Sequence, residues 1–396
     1  MATPLEGIRV LDFTQVASGP MCTQILGDLG AEVWKIERPN VGDVARTGIP
    51  FKGGECSYYH SFDRNKKCVT LDFTKAEGKA IVMKMLMECD VVVENFGPGT
   101  LGKYGLDYAA LSQEKPDIVM ASVSGFGQQD SPYVHKLAYD GMVQAMCGLM
   151  SLTGYPDQLP VKVGPAVIDL ISGYYATIGI VSALYERKTS GLGQYLDIAM
   201  MDCGIASLEQ NVAHYTFSGA SPVRLGNAHS TVGCTNSYET SDGSLYISCS
   251  SNAIAMRIAD AIGHPELKED SRFASNADRA VNRDFIDVLI NTWTSQRTRA
   301  EIIGVFDEAH IPCGPVNTIE DMVKDPHTTQ RGMLYSFEHP KAGTITVAGS
   351  PLRFSRTPVR EPVMAAALGA NNQEIYGDAL GISSAKLGEL EKNGII

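Results

Sequence analysis

Residues 8–36 read IRVLDFTQVASGPMCTQILGDLGAEVWKI, and this stretch decides the fold. The apolar run at 8–13 predicts a β-strand, and the run at 31–36 predicts a second one. Between them, Pro20 near a first turn and apolar residues up to Leu29 predict a helix. Parallel neighbours need a long connection that returns over the sheet, so this order indicates a crossover unit with parallel strands. The stretch therefore predicts an α/β protein with helices on the faces of its sheet.

The same alternation continues along the first ~200 residues. Because strands and helices keep alternating, we expect a Rossmann-type open parallel sheet in a large domain. The further elements predicted in this part are strands at 68–71, 90–94 and 117–122 and a helix at 76–88.

The composition changes at the Ser/Gly/Pro-rich segment 218–222, which predicts a domain boundary. We expect 1–220 to be the N-terminal part of the large domain, 221–324 a smaller α+β domain, and 325–396 a C-terminal segment with a final helix at 384–392. Within the smaller domain, the pattern predicts a hairpin over 236–250 around Ser241-Asp242-Gly243 and helices at 252–263, 277–294 and 299–309.

The charge and the cysteines limit the possible functions. A net charge of -12 argues against binding nucleic acid, which requires a basic face. Nine cysteines without a C-x-x-C pair indicate a reducing compartment.

The first seven residues lack the basic start and apolar core of a signal peptide. The longest uncharged stretch, Leu170 to Tyr185, is shorter than the ~18–20 apolar residues of a membrane span. We therefore expect a cytoplasmic protein in which this stretch is a buried helix.

The common cofactor motifs are missing from the sequence. Gly125-Phe126-Gly127 and Gly191-Leu192-Gly193 each lack the third glycine of a dinucleotide fingerprint. The sequence has no P-loop, no H-E-x-x-H motif and no G-x-S-x-G elbow. The eight histidines are scattered without the spacing of metal ligands. We therefore expect neither a metal nor a redox cofactor.

A series of short motifs follows in a fixed order along nearly the whole chain. With these motifs the sequence strongly resembles the family III coenzyme A transferases, the formyl-CoA and carnitine CoA-transferase family. The resemblance implies an acyl-CoA and a small carboxylic acid as partners, and a homodimer whose two chains are interlocked like rings. The motifs are Gln15–Pro20, Glu37–Pro39, Asp63–Lys67, Glu94–Gly99, Tyr139–Gly141, Asp169 within 167–171, and Gly191–Gln194.

Asp169 is the candidate nucleophile. It stands among apolar residues at the predicted start of a helix over Leu170–Glu186, so from the sequence alone it could also be an N-cap. The resemblance places the nucleophilic carboxylate of the transferases at this position. Attack on an acyl-CoA thioester would form a mixed anhydride and release CoA as a thiolate, which is a good leaving group.

The resemblance also implies residues that bind the substrates. Gln15 and Ala17 follow the first strand and would reach the acyl group, and the Tyr139 phenol could donate to an oxyanion. Taken singly, these residues and the lysines below could equally be ordinary surface or buried residues. Ser250 is expected at the acyl site, and the CoA contacts are expected at Arg38, Leu71, Lys75, Asn95, Phe96, Lys103 and Lys136.

Two departures from the family pattern concern specificity. Gly97 stands where many relatives have Arg or Lys, and the glycine-rich lid of the formyl-CoA enzymes is replaced by Ser248-Cys249-Ser250-Ser251-Asn252. The glycine at 97 predicts that one phosphate contact is missing or supplied elsewhere, and the missing lid puts formyl-CoA and oxalate specificity in doubt. The polar replacement, with Arg46, Arg224 and His229 as anion partners, suggests succinyl-CoA as donor. The suggested acceptor is oxalate, or itaconate, mesaconate or a further C4–C5 acid.

Two other functions stay open at this stage. An α-methylacyl-CoA racemase on the same fold would need a His before the Asp-Gly stretch and a later Glu, but this chain has Tyr139 and the segment Ser250–Asn252 there. A non-catalytic CoA-binding protein is the other alternative, and turnover with any pair of acyl-CoA and free acid would rule it out.

Overall fold

The computed structural model of the protein describes residues 2–396, which form two compact units. One unit comprises the residues up to Leu149, Lys162–Ser218 and His327–Ile396, and the other comprises Met150–Val161 and Gly219–Pro326. The sequence predicts that 150–161 belongs to the large domain. In the structure this segment belongs to the second unit, where Arg224 donates hydrogen bonds to its carbonyl oxygens.

The first unit is built on a parallel sheet of six strands within residues 2–396. Its order is β3-β2-β1-β4-β5-β6, and every neighbouring pair is parallel. This is the Rossmann order, which confirms the predicted fold class. The order reverses between β1 and β4, and open α/β sheets bind their ligands at such a reversal. The strands are β1 (Arg9–Asp12), β2 (Glu32–Glu37), β3 (Lys66–Thr70), β4 (Val91–Glu94), β5 (Val119–Ser124) and β6 (Tyr195–Ala199).

The sixteen α-helices within residues 2–396 alternate with these strands and continue through the second unit. In chain order they are α1 (Ser18–Asp28), α2 (Ser57–Phe62), α3 (Ala76–Glu88), α4 (Tyr108–Glu114), α5 (Asp140–Met146), α6 (Leu149–Leu152), α7 (Val167–Ser190), α8 (Met200–Ala206), α9 (Glu209–Ser218), α10 (Asn252–Ala261), α11 (Asn276–Val281), α12 (Arg283–Thr294), α13 (Arg299–Glu308), α14 (Ile319–Lys324), α15 (Pro326–Gln330) and α16 (Ser384–Lys392). A π-helix covers Gln373–Ala379, and a short ladder joins Phe51–Lys52 to Glu55–Cys56.

Apolar side chains cover both faces of the parallel sheet. On one face α1 and α7 pack together, and Leu26, Ile168 and Ile180 share a buried cluster with strand residues such as Val91. On the other face α3 and α16 contribute to a second buried cluster around Leu11. The strand residues are buried on both sides, as expected of a parallel sheet. The sheet is therefore a rigid base for the loops at its ends.

Helix α7 contains the predicted helix Leu170–Glu186 and extends beyond it at both ends. By length and composition it could cross a membrane. One face, however, is buried against α1 and the strands β5 and β6. These are the contacts of a core helix, as the sequence predicted.

The second unit has a three-stranded antiparallel sheet within residues 2–396. The hairpin of β7 (Asn236–Thr240) and β8 (Gly243–Ile247) confirms the predicted turn, and β9 (Cys313–Pro315) pairs with the other side of β8. Helices α10, α12 and α13 bury Ile258, Phe306 and their neighbours against it. The helix predicted over 277–294 is interrupted at Asn282, which separates α11 from α12.

The C-terminal segment packs on the edge of the parallel sheet. After the hairpin of β10 (Leu334–His339) and β11 (Gly343–Ala348), the chain reaches β3, where Tyr376 Oη donates to the Thr70 carbonyl oxygen over 3.0 Å. Asn372 Oδ1 accepts from Thr70 N over 2.9 Å, and the Ile395 carbonyl accepts from Asp72 N over 2.7 Å. The tail thus covers an edge strand whose backbone groups would otherwise be unpaired.

Candidate active site

The loops after β1 and β4 are joined where the strand order reverses. Asn95 Oδ1 accepts from Gln15 N, and Asn95 Nδ2 donates to the Gln15 carbonyl, both over 2.8 Å. A Cβ at Gly19 would lie 2.4 Å from Thr14 Cγ2, so the start of α1 approaches this loop more closely than any larger residue permits. The Gln15 backbone is therefore fixed on the ligand-binding edge of the sheet.

Asp169 lies in the first turn of α7, with its amide beside another carboxylate. The N-cap of α7 is Ala166, so the interpretation of Asp169 as an N-cap was wrong. Asp140 supplies the cap instead: its Oδ1 accepts from Ile168 N over 2.7 Å and from Asp169 N over 3.3 Å. Gln144 Nε2 holds the other Asp140 oxygen over 2.6 Å. Because Asp140 makes the capping bonds, the Asp169 carboxylate need not turn back onto its own helix.

The surroundings of Asp169 disfavour the ionised form of its carboxylate. Burial raises its pKa, and the neighbouring charge of Asp140 raises it further, to about 7. The helix N-terminus favours an anion, but it does not offset these two effects. A carboxylate titrating near neutral pH in a cavity is typical of a catalytic group.

One cavity brings together four of the five predicted acyl-site residues, all except Ser250. It has a volume of about 390 Å³ and contains Asp169 with Gln15, Ala17 and Tyr139 in its lining. Tyr139 is 76% exposed, so its phenol lies at the open side of the cavity. Three of the predicted CoA contacts, Asn95, Phe96 and Lys136, line the same cavity.

A second cavity, of about 250 Å³, adjoins the first through shared lining residues. Gln15 and Phe96 line both cavities, and the second also contains the predicted CoA contacts Arg38 and Leu71. Glu37 lines it as well, at the end of β2, where a Rossmann enzyme would hold a ribose. Arg46 covers that carboxylate with two hydrogen bonds of 2.7 and 2.8 Å, so the negative charge is neutralised.

Three predicted contacts lie outside both cavities. Lys75 donates to the carbonyls of Asn393 and Gly394, each over 3.1 Å, which ties it to the C-terminal end of the chain. Lys103 is exposed in a short 3-10 helix, and Ser250 is exposed in the second unit. Their predicted roles in binding stay predictions.

The suggested anion partners are occupied by other groups. Arg46 is paired with Glu37, and Arg224 donates to backbone carbonyls including those of Tyr155 and Gln158. His229 Nδ1 accepts from Thr231 N over 3.2 Å. Long-range pairing of this kind cannot be seen in the sequence, and it leaves the two guanidinium groups less available to a substrate carboxylate.

Comparison with known proteins agrees with this geometry. CoA-transferase family III matches residues 5–372. The chain belongs to CoA-transferase family III. It is 35% identical to the succinyl-CoA–D-citramalate CoA-transferase of Chloroflexus aurantiacus, covering 99% of this chain and 98% of that protein. It is also 35% identical to the succinate–glutarate CoA-transferase of Agrobacterium fabrum, covering 95% of each.

A solved structure extends the similarity to the fold. The CaiB/BaiF family protein from Brucella suis superimposes with a TM-score of 0.86 at 36% identity, covering 96% of this chain and 100% of that one. The prediction that the chain is a family III CoA-transferase is therefore confirmed, and with it the fold.

Three features of this transferase site were not found from the sequence. Asp140 was noted only as part of a motif, although it caps α7 and contacts Asp169 N. Val16 has a φ of 67°, which is rare for a β-branched residue. Ser124 lines the first cavity, and its buried Oγ has no hydrogen-bond partner within residues 2–396. None of these features has a local sequence signal, because each depends on neighbours that are distant along the chain.

Folding also brings together a cluster of possible metal ligands, Glu55, His60 and His339. His60 Nε2 lies 3.5 Å and His339 Nε2 3.7 Å from the Glu55 carboxylate. His339 Nδ1, however, accepts from the amides of Lys341 and Ala342, each over 3.2 Å. In the neutral ring Nε2 must then carry the proton and present N–H to Glu55 rather than a lone pair. As folded, His339 therefore presents a donor to Glu55 and not a lone pair for a metal.

Proposed function

We propose that this transferase moves coenzyme A from succinyl-CoA to a dicarboxylic acid of four or five carbons, with Asp169 as the covalent carrier. The observation that supports the proposal is the single cavity that contains Asp169, Gln15 and Tyr139 and adjoins a second cavity suited to a nucleotide. The names of the two relatives support the choice of acids, since both include a succinyl or succinate group and a dicarboxylate.

The chemistry needs only groups that the cavity supplies. The ionised Asp169 carboxylate attacks the thioester carbon, the C–S bond breaks, and a mixed anhydride and a CoA thiolate result. The thiolate attacks the aspartyl carbonyl of the anhydride, which releases the donor acid and leaves an aspartyl-CoA thioester. The acceptor carboxylate then reverses these steps and leaves as its CoA thioester. No electron or proton is gained or lost over the cycle.

The neighbouring residues would orient and stabilise these species. The Gln15 amide and the Tyr139 phenol can donate hydrogen bonds to the oxygen that gains negative charge in each attack. Arg38 would neutralise phosphate at the nucleotide end, and Phe96 and Leu71 would pack against the adenine. Lys136, at the first cavity, supplies a further positive charge along the CoA. We propose no metal or redox cofactor, because every step is a carbonyl substitution.

Trapping the covalent intermediate tests the mechanism. Incubation with succinyl-CoA followed by hydroxylamine or borohydride should modify Asp169, as read by peptide mass spectrometry. Asp169→Ala should lose several orders of magnitude in rate because it removes the nucleophile. Near-wild-type transfer by Asp169→Ala would refute covalent catalysis at this residue.

Two further measurements define the reaction. A mass-spectrometric screen of acyl-CoA donors against a panel of carboxylic acids should show the highest rates with succinyl-CoA and C4–C5 dicarboxylates. In heavy water, transfer should leave the α-carbon free of deuterium, whereas a racemase must exchange its α-proton. Deuterium at that carbon without dependence on a free acid would show that the racemase alternative is correct.

We also propose that the protein is a cytoplasmic homodimer. The outer face of α7 exposes large apolar side chains, Ile178 at 60% and Tyr185 at 76%, and on α9 Phe217 is 96% exposed. Such a patch is typical of a surface that another chain covers, and a second copy is the partner that the family resemblance implies. Sedimentation should give a dimer, and Ile178→Glu should weaken it more than Met87→Glu, which alters an exposed apolar residue on α3.

A further inference from the structure

The backbone of Val16 has an unusual conformation at the centre of the acyl-site loop. Its φ of 67° lies in the left-handed region, where a side chain branched at Cβ is strongly disfavoured. Gln15 and Ala17 flank it, and all three residues line the cavity that contains Asp169. Strained backbone of this kind persists only where the surroundings hold it in place, and it occurs most often at functional sites.

Side chains from outside the loop hold three successive amides in it. Asp12 Oδ1 accepts from Thr14 N and Asn95 Oδ1 accepts from Gln15 N, both over 2.8 Å. The Val16 amide donates to Asp43 Oδ1 over 3.1 Å. Of these bonds, the one to Asp43 is made by the residue in the left-handed conformation itself. Asp43 therefore acts at the point where the backbone is most strained.

Asp43 is itself fixed by a buried lysine. Lys35 Nζ donates to Asp43 Oδ2 over 2.8 Å, and both side chains are fully buried. The same ammonium donates to the carbonyl of Thr14 over 2.8 Å, so Lys35 contacts the loop directly. Burying two charges is costly even when they are paired, and apolar residues of similar size often stabilise a fold as well or better. Asp43 Oδ1 also accepts from Ala45 N over 2.8 Å and caps the 3-10 helix Val44–Thr47, so the tests below separate positioning from stability.

We infer that Lys35 and Asp43 are positioning residues for acyl transfer. Together they hold Val16 in the left-handed conformation, so that Gln15 and Ala17 both line the cavity at Asp169. Without the Asp43 bond, Val16 relaxes to a negative φ, which rotates the adjoining peptide groups away from the acyl carbonyl. The inference rests on the proposed function, since it concerns the geometry of the step at Asp169. Neither residue lines the cavity, so both act through the loop.

The first test changes Val16 and leaves the buried ion pair intact. Glycine adopts the left-handed region freely and keeps the amide, whereas proline fixes φ near −65° and has no N–H for Asp43. With succinyl-CoA and glutarate, Val16→Pro should have a kcat about 100-fold below that of Val16→Gly, the loss expected of a displacement near 1 Å. The KM for succinyl-CoA should differ by less than about 3-fold, because Arg38, Leu71 and the other residues of the second cavity apart from Gln15 lie outside this loop. Equal kcat values for the two variants would overturn the inference.

The second test removes the Asp43 charge against a matched control. Asp43→Asn should lower kcat about 30-fold with little change in KM. The control is Asp63→Asn, which removes another fully buried carboxylate, bound to Lys35 and Lys66, for which the described residues show no hydrogen bond to the loop amides. The melting temperature of each variant separates a loss of folded protein from a loss of rate. If both variants lose kcat in proportion to their melting temperatures, the pair is structural and the inference is wrong.

A trapping experiment separates this inference from the proposed function. If wild-type protein forms no adduct at Asp169 with succinyl-CoA, the proposed mechanism fails and this inference fails with it. If wild-type protein forms the adduct and Val16→Pro forms it as fast as Val16→Gly, the mechanism stands and only the positioning role is refuted. If wild-type protein and Val16→Gly form the adduct fast, and only Val16→Pro and Asp43→Asn form it slowly, the result supports both the mechanism and the positioning role.

Discussion

The pH dependence of transfer follows from the raised pKa of Asp169. The pKa of Asp169 is about 7, and only the ionised form of its carboxylate is a nucleophile. About half of the free enzyme is then competent at pH 7 and about 1% at pH 5, so kcat/KM for succinyl-CoA should fall about 50-fold between these values. An ordinary aspartate, with a pKa near 3.9, would lose less than about 10% over the same range. Initial rates in constant-ionic-strength buffers measure the difference.

The variant Asp140→Asn tests the cause of this shift. It removes the charge that raises the pKa of Asp169, while an asparagine oxygen can still accept from Ile168 N. The midpoint of the pH profile should move to lower pH, but only part of the way, since burial is the larger cause. The new amide would face Gln144 Nε2, so a stability loss of about 1 kcal/mol is expected and is checked by thermal unfolding. A flat wild-type profile from pH 5 to 7, or a midpoint unmoved in Asp140→Asn, would refute this reasoning.

The remaining predictions concern stability, binding and metals. Because the pKa of Asp169 is higher in the folded state than the usual 3.8, the wild type loses stability as pH rises from about 4 through 7. Asp169→Asn should therefore melt at a higher temperature than wild type at pH 8 but not at pH 4, and a constant difference would contradict the shift. Ser124→Ala removes a buried hydroxyl that has no partner within residues 2–396, so the variant should fold normally while kcat/KM falls about 3- to 10-fold if Oγ binds substrate. Unchanged kcat/KM would show that this hydroxyl binds nothing in the reaction. Full activity should survive EDTA and dialysis, and a loss that a divalent metal restores would contradict the proposed chemistry.

Much of the fold could be predicted because its signals are local. The apolar runs at 8–13 and 31–36 alternate with a helix pattern, and β1, α1 and β2 form there. The turn at Ser241–Gly243 likewise predicted the hairpin of β7 and β8. The sequence does not predict the end of α11 at Asn282, because the apolar period continues across it; there Asn282 Nδ2 donates to the Asp278 carbonyl over 2.8 Å.

In the candidate site, too, the local signals were predictable and the long-range contacts were not. The order of motifs along the chain was enough to indicate the transferase family and to select Asp169. The bonds that arrange the site join residues far apart in the chain: Asp140 caps the helix that begins near Asp169, Asn95 holds Gln15, and Asp43 holds Val16. The sequence contains no periodicity that reports such pairs.

The crossover units, the hairpin and the family are readable from the amino-acid sequence, because each follows from spacing between neighbours in the chain. The tertiary structure decided which charges remain available to substrates. Arg46, a predicted partner of a substrate anion, is neutralised by Glu37. Asp169 has a pKa of about 7 because it is buried and lies near the charge of Asp140. The pKa of a side chain depends on its desolvation and on the charges near it in space, and neither is set until distant segments pack together.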